Sequence, residues 1–126
     1  MKITQVDLTP VATRRETGSV SRHVIIRVQT DGGLVNQRVF ASLASAEEGV
    51  PDGMKVDTEG RVYSTGPGGC WVFDSNGSHL GTIKLPELPA NCAWGGPDHK
   101  TMLFTARTSV YAMRMKTSGT RIPSAS

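Results

Sequence analysis

The chain has 126 residues, 37% of them hydrophobic and 20% charged, with a net charge of +3, which suits one globular domain with a modest core. Basic residues are scattered, with Arg14-Arg15 the one adjacent pair, and no basic run interleaved with aromatics argues for a nucleic-acid partner. No apolar stretch approaches the roughly 20 residues of a bilayer span, and the N-terminus lacks the layout of a secretion signal, so the expected compartment is the cytoplasm.

Residues 2–11 read as a strand that ends at Pro10. Residues 13–22 are polar, contain glycine and lack periodicity, so they read as a loop. His23–Thr30 is a stronger strand, with Val24, Ile26 and Val28 on one face and Arg27 and Gln29 on the other. Asp31-Gly32-Gly33 is a turn, because two glycines supply positive φ freely. Residues 36–43 form another strand, and residues 45–50 (SAEEGV) a polar link with room for one helical turn.

From Pro51 the pattern becomes strand and turn at short intervals. Strands are expected at Met54–Val56, Arg61–Ser64, Cys70–Phe73 and His79–Leu85. The turns between them are Thr58-Glu59-Gly60, Gly66-Pro67-Gly68-Gly69 and Ser75-Asn76-Gly77, the Asn-Gly step being a strong hairpin signal. The layout then recurs with strands at Asn91–Trp94, Met102–Thr105 and Val110–Met115, and Gly96-Pro97-Asp98-His99 as a turn. A period of about 38 to 39 residues is close to that of four-stranded propeller blades. The fold class is therefore all-β, a partial β-propeller of about two four-stranded blades with an added N-terminal β-hairpin. The domain reading is 1–35 for the hairpin, 36–117 for the blades and 118–126 for a disordered tail.

Few residues carry chemistry. Asp52 sits in a tight turn just before a strand, where a propeller places metal ligands in its tunnel, and the alternative is an Asx-type turn that orders its own backbone. Asp57, Asp98, Asp74 and Asn76 read as turn chemistry. Cys70 and Cys92 read as buried free thiols without a His or Cys partner at zinc spacing. His23, His79 and His99 have no partner at ligand or triad spacing and read as solvated surface residues. Trp71, Trp94, Tyr63 and Tyr111 read as inter-blade packing. There is no Gly-x-Ser-x-Gly elbow, and the Gly66–Gly69 run lacks the Lys-Ser/Thr of a phosphate loop.

The stretches PDGMKVDTEGRVYSTGPGG, CWVFDSNGSHLGTIKLPE, PANCAWGGPD and MLFTARTSVYAMRM closely resemble the C-terminal part of the gluconolactonase family, also called the senescence-marker-protein or regucalcin family. The resemblance covers about residues 37–115, roughly the last two blades of a six-bladed fold. It implies metal-dependent hydrolysis of a small sugar lactone, with Asp52 as a ligand to a divalent metal (Ca, Mg, Mn or Zn) and as a general base, and with Asn91 as a tunnel-facing candidate. The other family ligands lie on earlier blades that this chain lacks, so the expectation is a truncated, weakly active or inactive relative. The alternatives are an active hydrolase formed when three copies close a six-bladed ring, and a non-catalytic binding module. Residues 1–35, MKITQVDLTPVATRRETG followed by HVIIRVQTDGGLV, resemble the first hairpin of an enolase-superfamily protein of the mandelate-racemase or sugar-acid-dehydratase type. That resemblance implies a junction of two truncated genes, and a substrate-facing role for the loop from Arg14 to Arg22.

Overall fold

The structure, a computed structural model, describes the backbone of residues 3–14, 20–30 and 33–121 and the side chains of residues 39–121. Among these described residues, ten strands form three antiparallel sheets. The first contains β1 (Ile3–Arg14), β2 (Val20–Thr30) and β3 (Gly33–Ser42); the second β4 (Met54–Val56), β5 (Val62–Gly66), β6 (Gly69–Phe73) and β7 (His79–Ile83); the third β8 (Pro89–Gly95), β9 (Thr101–Ala106) and β10 (Val110–Arg114). Each sheet is a meander, because strands joined by short turns pair with their sequence neighbours.

The all-β reading holds, with differences of detail. The N-terminal unit is a three-stranded sheet, since β3 pairs with β2 from Thr30↔Gly33 to His23↔Ser42. The expected boundary at 35/36 therefore falls inside a strand. β1 also continues past Pro10 to Arg14. Proline is tolerated there because β1 is an edge strand among the described residues. The 45–50 link bends without forming a helical turn. The third sheet has three strands among the described residues. Asp31, Gly32 and Arg15 lie outside those residues, as do the side chains of Arg14 and His23.

The turn glycines behave as their chemistry requires. Gly60, Gly68, Gly77 and Gly96 all have positive φ, a region where a Cβ is costly. Of the expected disordered tail, residues 118–120 are hydrogen-bonded. Thr58 N–H donates to Ser118 O (2.9 Å) and Thr120 N–H to Val56 O (3.0 Å), so the tail runs beside the end of β4.

Two cores join the three sheets in series. Phe40, Ala41 and Leu43, from β3 and the residue after it, pack with Val62 and Phe73 of the second sheet. Tyr63 and Cys70 of the second sheet pack with Cys92, Met102 and Phe104 of the third. All five residues of β5 are buried, because that sheet has a neighbour on each face. β9 alternates, burying Met102 and Phe104 and leaving Leu103 outward. The outer face of the last sheet exposes Val110 and Leu103. The aromatics act as inter-blade packing: Trp94 meets Tyr63 edge to face at 5.4 Å and donates its indole N–H to Val56 O (3.0 Å). His79 does more than face solvent, since it stacks on Trp71 at 4.1 Å.

Two exposed carboxylates tie down the third sheet. Asp98 takes bonds from Arg114 (2.6 and 2.9 Å) and from Lys100 N–H (3.1 Å). Glu87 takes bonds from the Thr108 hydroxyl and amide and from Tyr111. The Arg114 guanidinium holds Asp98 well below the usual carboxylate range, and the Thr108 hydroxyl lowers Glu87. A carboxylate depressed in the folded state stabilises above its unfolded value, near 4, and that stabilisation is lost as pH falls. Denaturation series at pH 7, 5, 4 and 3 should show stability falling from about pH 4 downward. The fall should be smaller in Arg114→Gln, and an unchanged acid profile in that variant would contradict the Asp98 part.

Candidate functional site

Asp52 lies between Pro51, which is buried, and Gly53, at the entry to β4. Gly53 fixes this turn from two sides. Its N–H donates to Ala90 O (3.1 Å) and to the Thr65 hydroxyl (3.0 Å), and its carbonyl accepts from Thr65 N–H (2.9 Å). A Cβ at position 53 would stand 2.7 Å from the Asn91 Cα and 2.0 Å from its Oδ1. Only glycine lets the turn approach β8 this closely.

The Asp52 side chain is exposed and makes no hydrogen bond to any described residue. It lines an open cavity of about 470 Å³ whose walls include Glu48, Val50, Leu88, Pro89 and Arg107. Glu48 is brought to this mouth by its own carbonyl, which accepts from Gly68 N–H (3.0 Å), and its carboxylate pairs with Arg107 at 3.3 Å. Sequence reasoning missed both Glu48 and Arg107. Glu48 sits in an aperiodic link and Arg107 in the β9–β10 turn, so nothing local marked either one.

Asn91 is exposed one residue beyond the cavity wall, against Gly53. Its Oδ1 accepts from Cys92 N–H at 2.8 Å. The fold thus brings Asn91 beside the Asp52 turn but turns its amide oxygen onto its own chain.

The donor set at Asp52 does not hold a metal ion by itself. No group of three or more His, Cys, Asp or Glu side chains converges anywhere among the described residues. Of the two carboxylates at the cavity, one is already paired with arginine. A hard divalent cation such as Ca²⁺ takes about six to eight oxygens.

The remaining candidates are structural. Asp57 is fully buried and accepts from Glu59 N–H, Arg61 N–H, Arg61 Nε and the Tyr63 hydroxyl, all within 3.0 Å. Burial raises the Tyr63 phenol. Cys70 and Cys92 are buried and free, facing one another between the second and third sheets. Their mutual hydrogen bond, together with burial, pushes the Cys70 thiol up, so it is a poor nucleophile. No helix among the described residues is long and apolar enough to cross a membrane.

Comparison with known proteins gives this arrangement its context. The chain is 37% identical over 83 residues to regucalcin of Danio rerio, covering 63% of this chain and 28% of that protein. It is 37% identical over 73 residues to gluconolactonase of Zymomonas mobilis subsp. mobilis, covering 56% of this chain and 20% of that protein. The chain thus spans less than a third of the length of these relatives. A solved gluconolactonase-family target of a structural-genomics consortium superposes over 90% of this chain and 41% of its own, with a TM-score of 0.69 at 21% identity. That superposition supports a propeller-type fold. The enolase-superfamily resemblance of residues 1–35 finds no counterpart in these matches, and the family match begins inside that segment, at residue 18. The SMP-30/Gluconolactonase/LRE-like region matches residues 18–108, and the chain belongs to that family.

Proposed function

We propose that this chain carries one wall of a lactone-hydrolase site, with Asp52 as the proton acceptor. The observation behind this reading is an exposed carboxylate with no partner among the described residues, in a turn locked by Gly53, at the mouth of a cavity walled by Leu88 and Pro89. In the reaction, water attacks the lactone carbonyl carbon and Asp52 takes its proton. The ring C–O bond then breaks, the leaving alkoxide takes up a proton, and a hydroxy acid results. Arg107 stands at the same cavity as a donor to substrate oxygens, shared with Glu48. The family's chemistry implies a divalent cation, for which Asp52 is this chain's ligand; further oxygen ligands have to come from beyond the described residues. The chain alone is therefore expected to be a weak catalyst. The descent of residues 1–35 from an enolase-type hairpin is part of this reading, although the family match already covers residues 18–35; the neighbouring DNA tests it.

The test is hydrolysis of glucono-δ-lactone with Ca²⁺, Mg²⁺, Mn²⁺ or Zn²⁺, and with chelator. A metal-dependent rate in the wild type should fall roughly 10²-fold or more in Asp52→Asn. Equal rates in the two proteins would end the assignment.

A second reading rests on the exposed Val110 and Leu103 and on β10, the unpaired edge of the third sheet among the described residues. With three sheets stacked in each chain, a six-bladed ring takes two copies joined through that face, around two Asp52 side chains, where two blades per chain would have taken three. Light scattering on the same sample decides it, since a monomer excludes the ring.

A further inference from the structure

A second cavity, of about 380 Å³, lies further along the same two strands that carry the Asp52 turn. Lys55 of β4 and Ala93 and Trp94 of β8 line it, with His99 from the β8–β9 turn and Thr120 and Arg121 from the tail. Asp52 and Lys55 are three residues apart, as are Ala90 and Ala93. At a strand rise of about 3.3 Å, these positions lie roughly 10 Å apart along the two strands.

The lining contains cationic or donor side chains and no carboxylate. Among the described residues, neither Lys55 nor Arg121 forms an ion pair. Lys55 Nζ donates to Met54 O (3.0 Å), and Arg121 gives one bond to Pro97 O (3.2 Å). Two of three ammonium donors and four of five guanidinium donors are therefore left for another acceptor. Asp57 and Asp98 line the adjoining hollow, which shares Thr120 and Arg121, and both are already committed, Asp57 to Arg61 and Asp98 to Arg114.

The walls of this cavity are fixed independently of any ligand. Gly119 lies flat on the Trp94 indole, where a Cβ would come within 1.9 Å of Cγ. Gly119 N–H also donates to His99 O (2.8 Å), and Ser118 bonds Thr58 N–H. His99 is held at φ 58°, the one non-glycine residue of positive φ in the described chain. Backbone strain of this kind gathers at ligand sites.

We propose that this cavity binds a small organic or inorganic oxyanion, a carboxylate or a phosphate, with its charged head between Lys55 and Arg121 and its body against the uncovered part of Trp94. Two cations lining one hollow with no carboxylate in its wall attract such a group more strongly than a lone surface lysine does. The site does not depend on the role of Asp52.

The test is an amide and indole NMR titration of the full chain with D-gluconate, with inorganic phosphate and with neutral glucose. Gluconate or phosphate should give saturable shifts at Lys55, Ala93, the Trp94 indole N–H and Thr120, and glucose should give none. Gluconate alone would mark a carboxylate site, and phosphate alone a phosphoryl site. The Lys55→Gln/Arg121→Gln variant, both positions being partly or fully exposed, should keep the wild-type spectrum and bind at least ten-fold more weakly. Asp52→Asn should bind as wild type, which separates this site from the hydrolase reading. Absence of saturable shifts with both anions, equal shifts with glucose, or unchanged affinity in the double variant would overturn the proposal.

Discussion

Asp57→Ala should cost about 2–4 kcal/mol of unfolding free energy, because several donors lose one buried acceptor at once, at about 1–3 kcal/mol for a buried group left unsatisfied. The carboxylate is inaccessible and holds four donors, so its removal takes the acceptor from the buried Tyr63 hydroxyl and from the Glu59 and Arg61 amides, while the partly exposed Arg61 guanidinium keeps Glu59 as a partner. Arg61 also reaches the Thr117 hydroxyl (2.5 Å), and the Thr120 hydroxyl donates to Asp57 O (3.0 Å). The tail is therefore tied to this joint. Urea denaturation should show the loss at constant m-value, and amide exchange should quicken at Ser118–Thr120 in the variant. Asp57→Asn keeps one acceptor oxygen and should lose less. A loss below about 1 kcal/mol in Asp57→Ala would show that the carboxylate is not the joint.

Phe104→Ala should cost about 3–5 kcal/mol, because the removed ring leaves a cavity as well as lost burial. Phe104 is fully buried between Tyr63, Cys70, Cys92 and Met102, and this cluster holds the third sheet on the second. Leu103→Ala, one residue earlier and facing out, should cost under about 1 kcal/mol. The pair separates burial from strand propensity, since both positions lie in β9. Similar losses in the two variants would mean that the sheets are not joined through this core. With total stabilities of about 5–15 kcal/mol usual for a domain, Phe104→Ala should leave the third sheet marginal.

Much of the blade architecture was legible because its signals are local. Gly60, Gly68 and Gly77 each mark a turn that needs positive φ, and the apolar runs between them have no other way to bury a face than to pair. β4 matches its expected bounds, and the other blade strands differ by a residue or two at their ends. The position of Asp52 in a turn before a strand was equally local.

What the residues could not show was how distant segments meet. β3 begins at Gly33 and pairs along β2, whereas the local pattern started that strand at residue 36, so a division at 35/36 looked natural. The polar 118–120 segment reads as tail, yet its backbone groups find β4, and Gly119 fits only because it has no side chain to strike Trp94. Asp57 reads as an ordinary turn acid, and only the return of β5 brings Arg61 and Tyr63 onto it. Glu48 and Arg107 are 59 residues apart and meet at the Asp52 cavity through the stacking of sheets.

The sequence by itself determined the strands, their turns and the acid at the mouth of β4, because each depends on chemistry within a few residues. The tertiary structure alone decided which groups surround that acid. It also decided that Lys55 and Arg121 share a cavity free of carboxylates. Both outcomes depend on the order in which three sheets stack, and that order is set by the buried faces of Phe40, Phe73 and Phe104 acting across long stretches of chain.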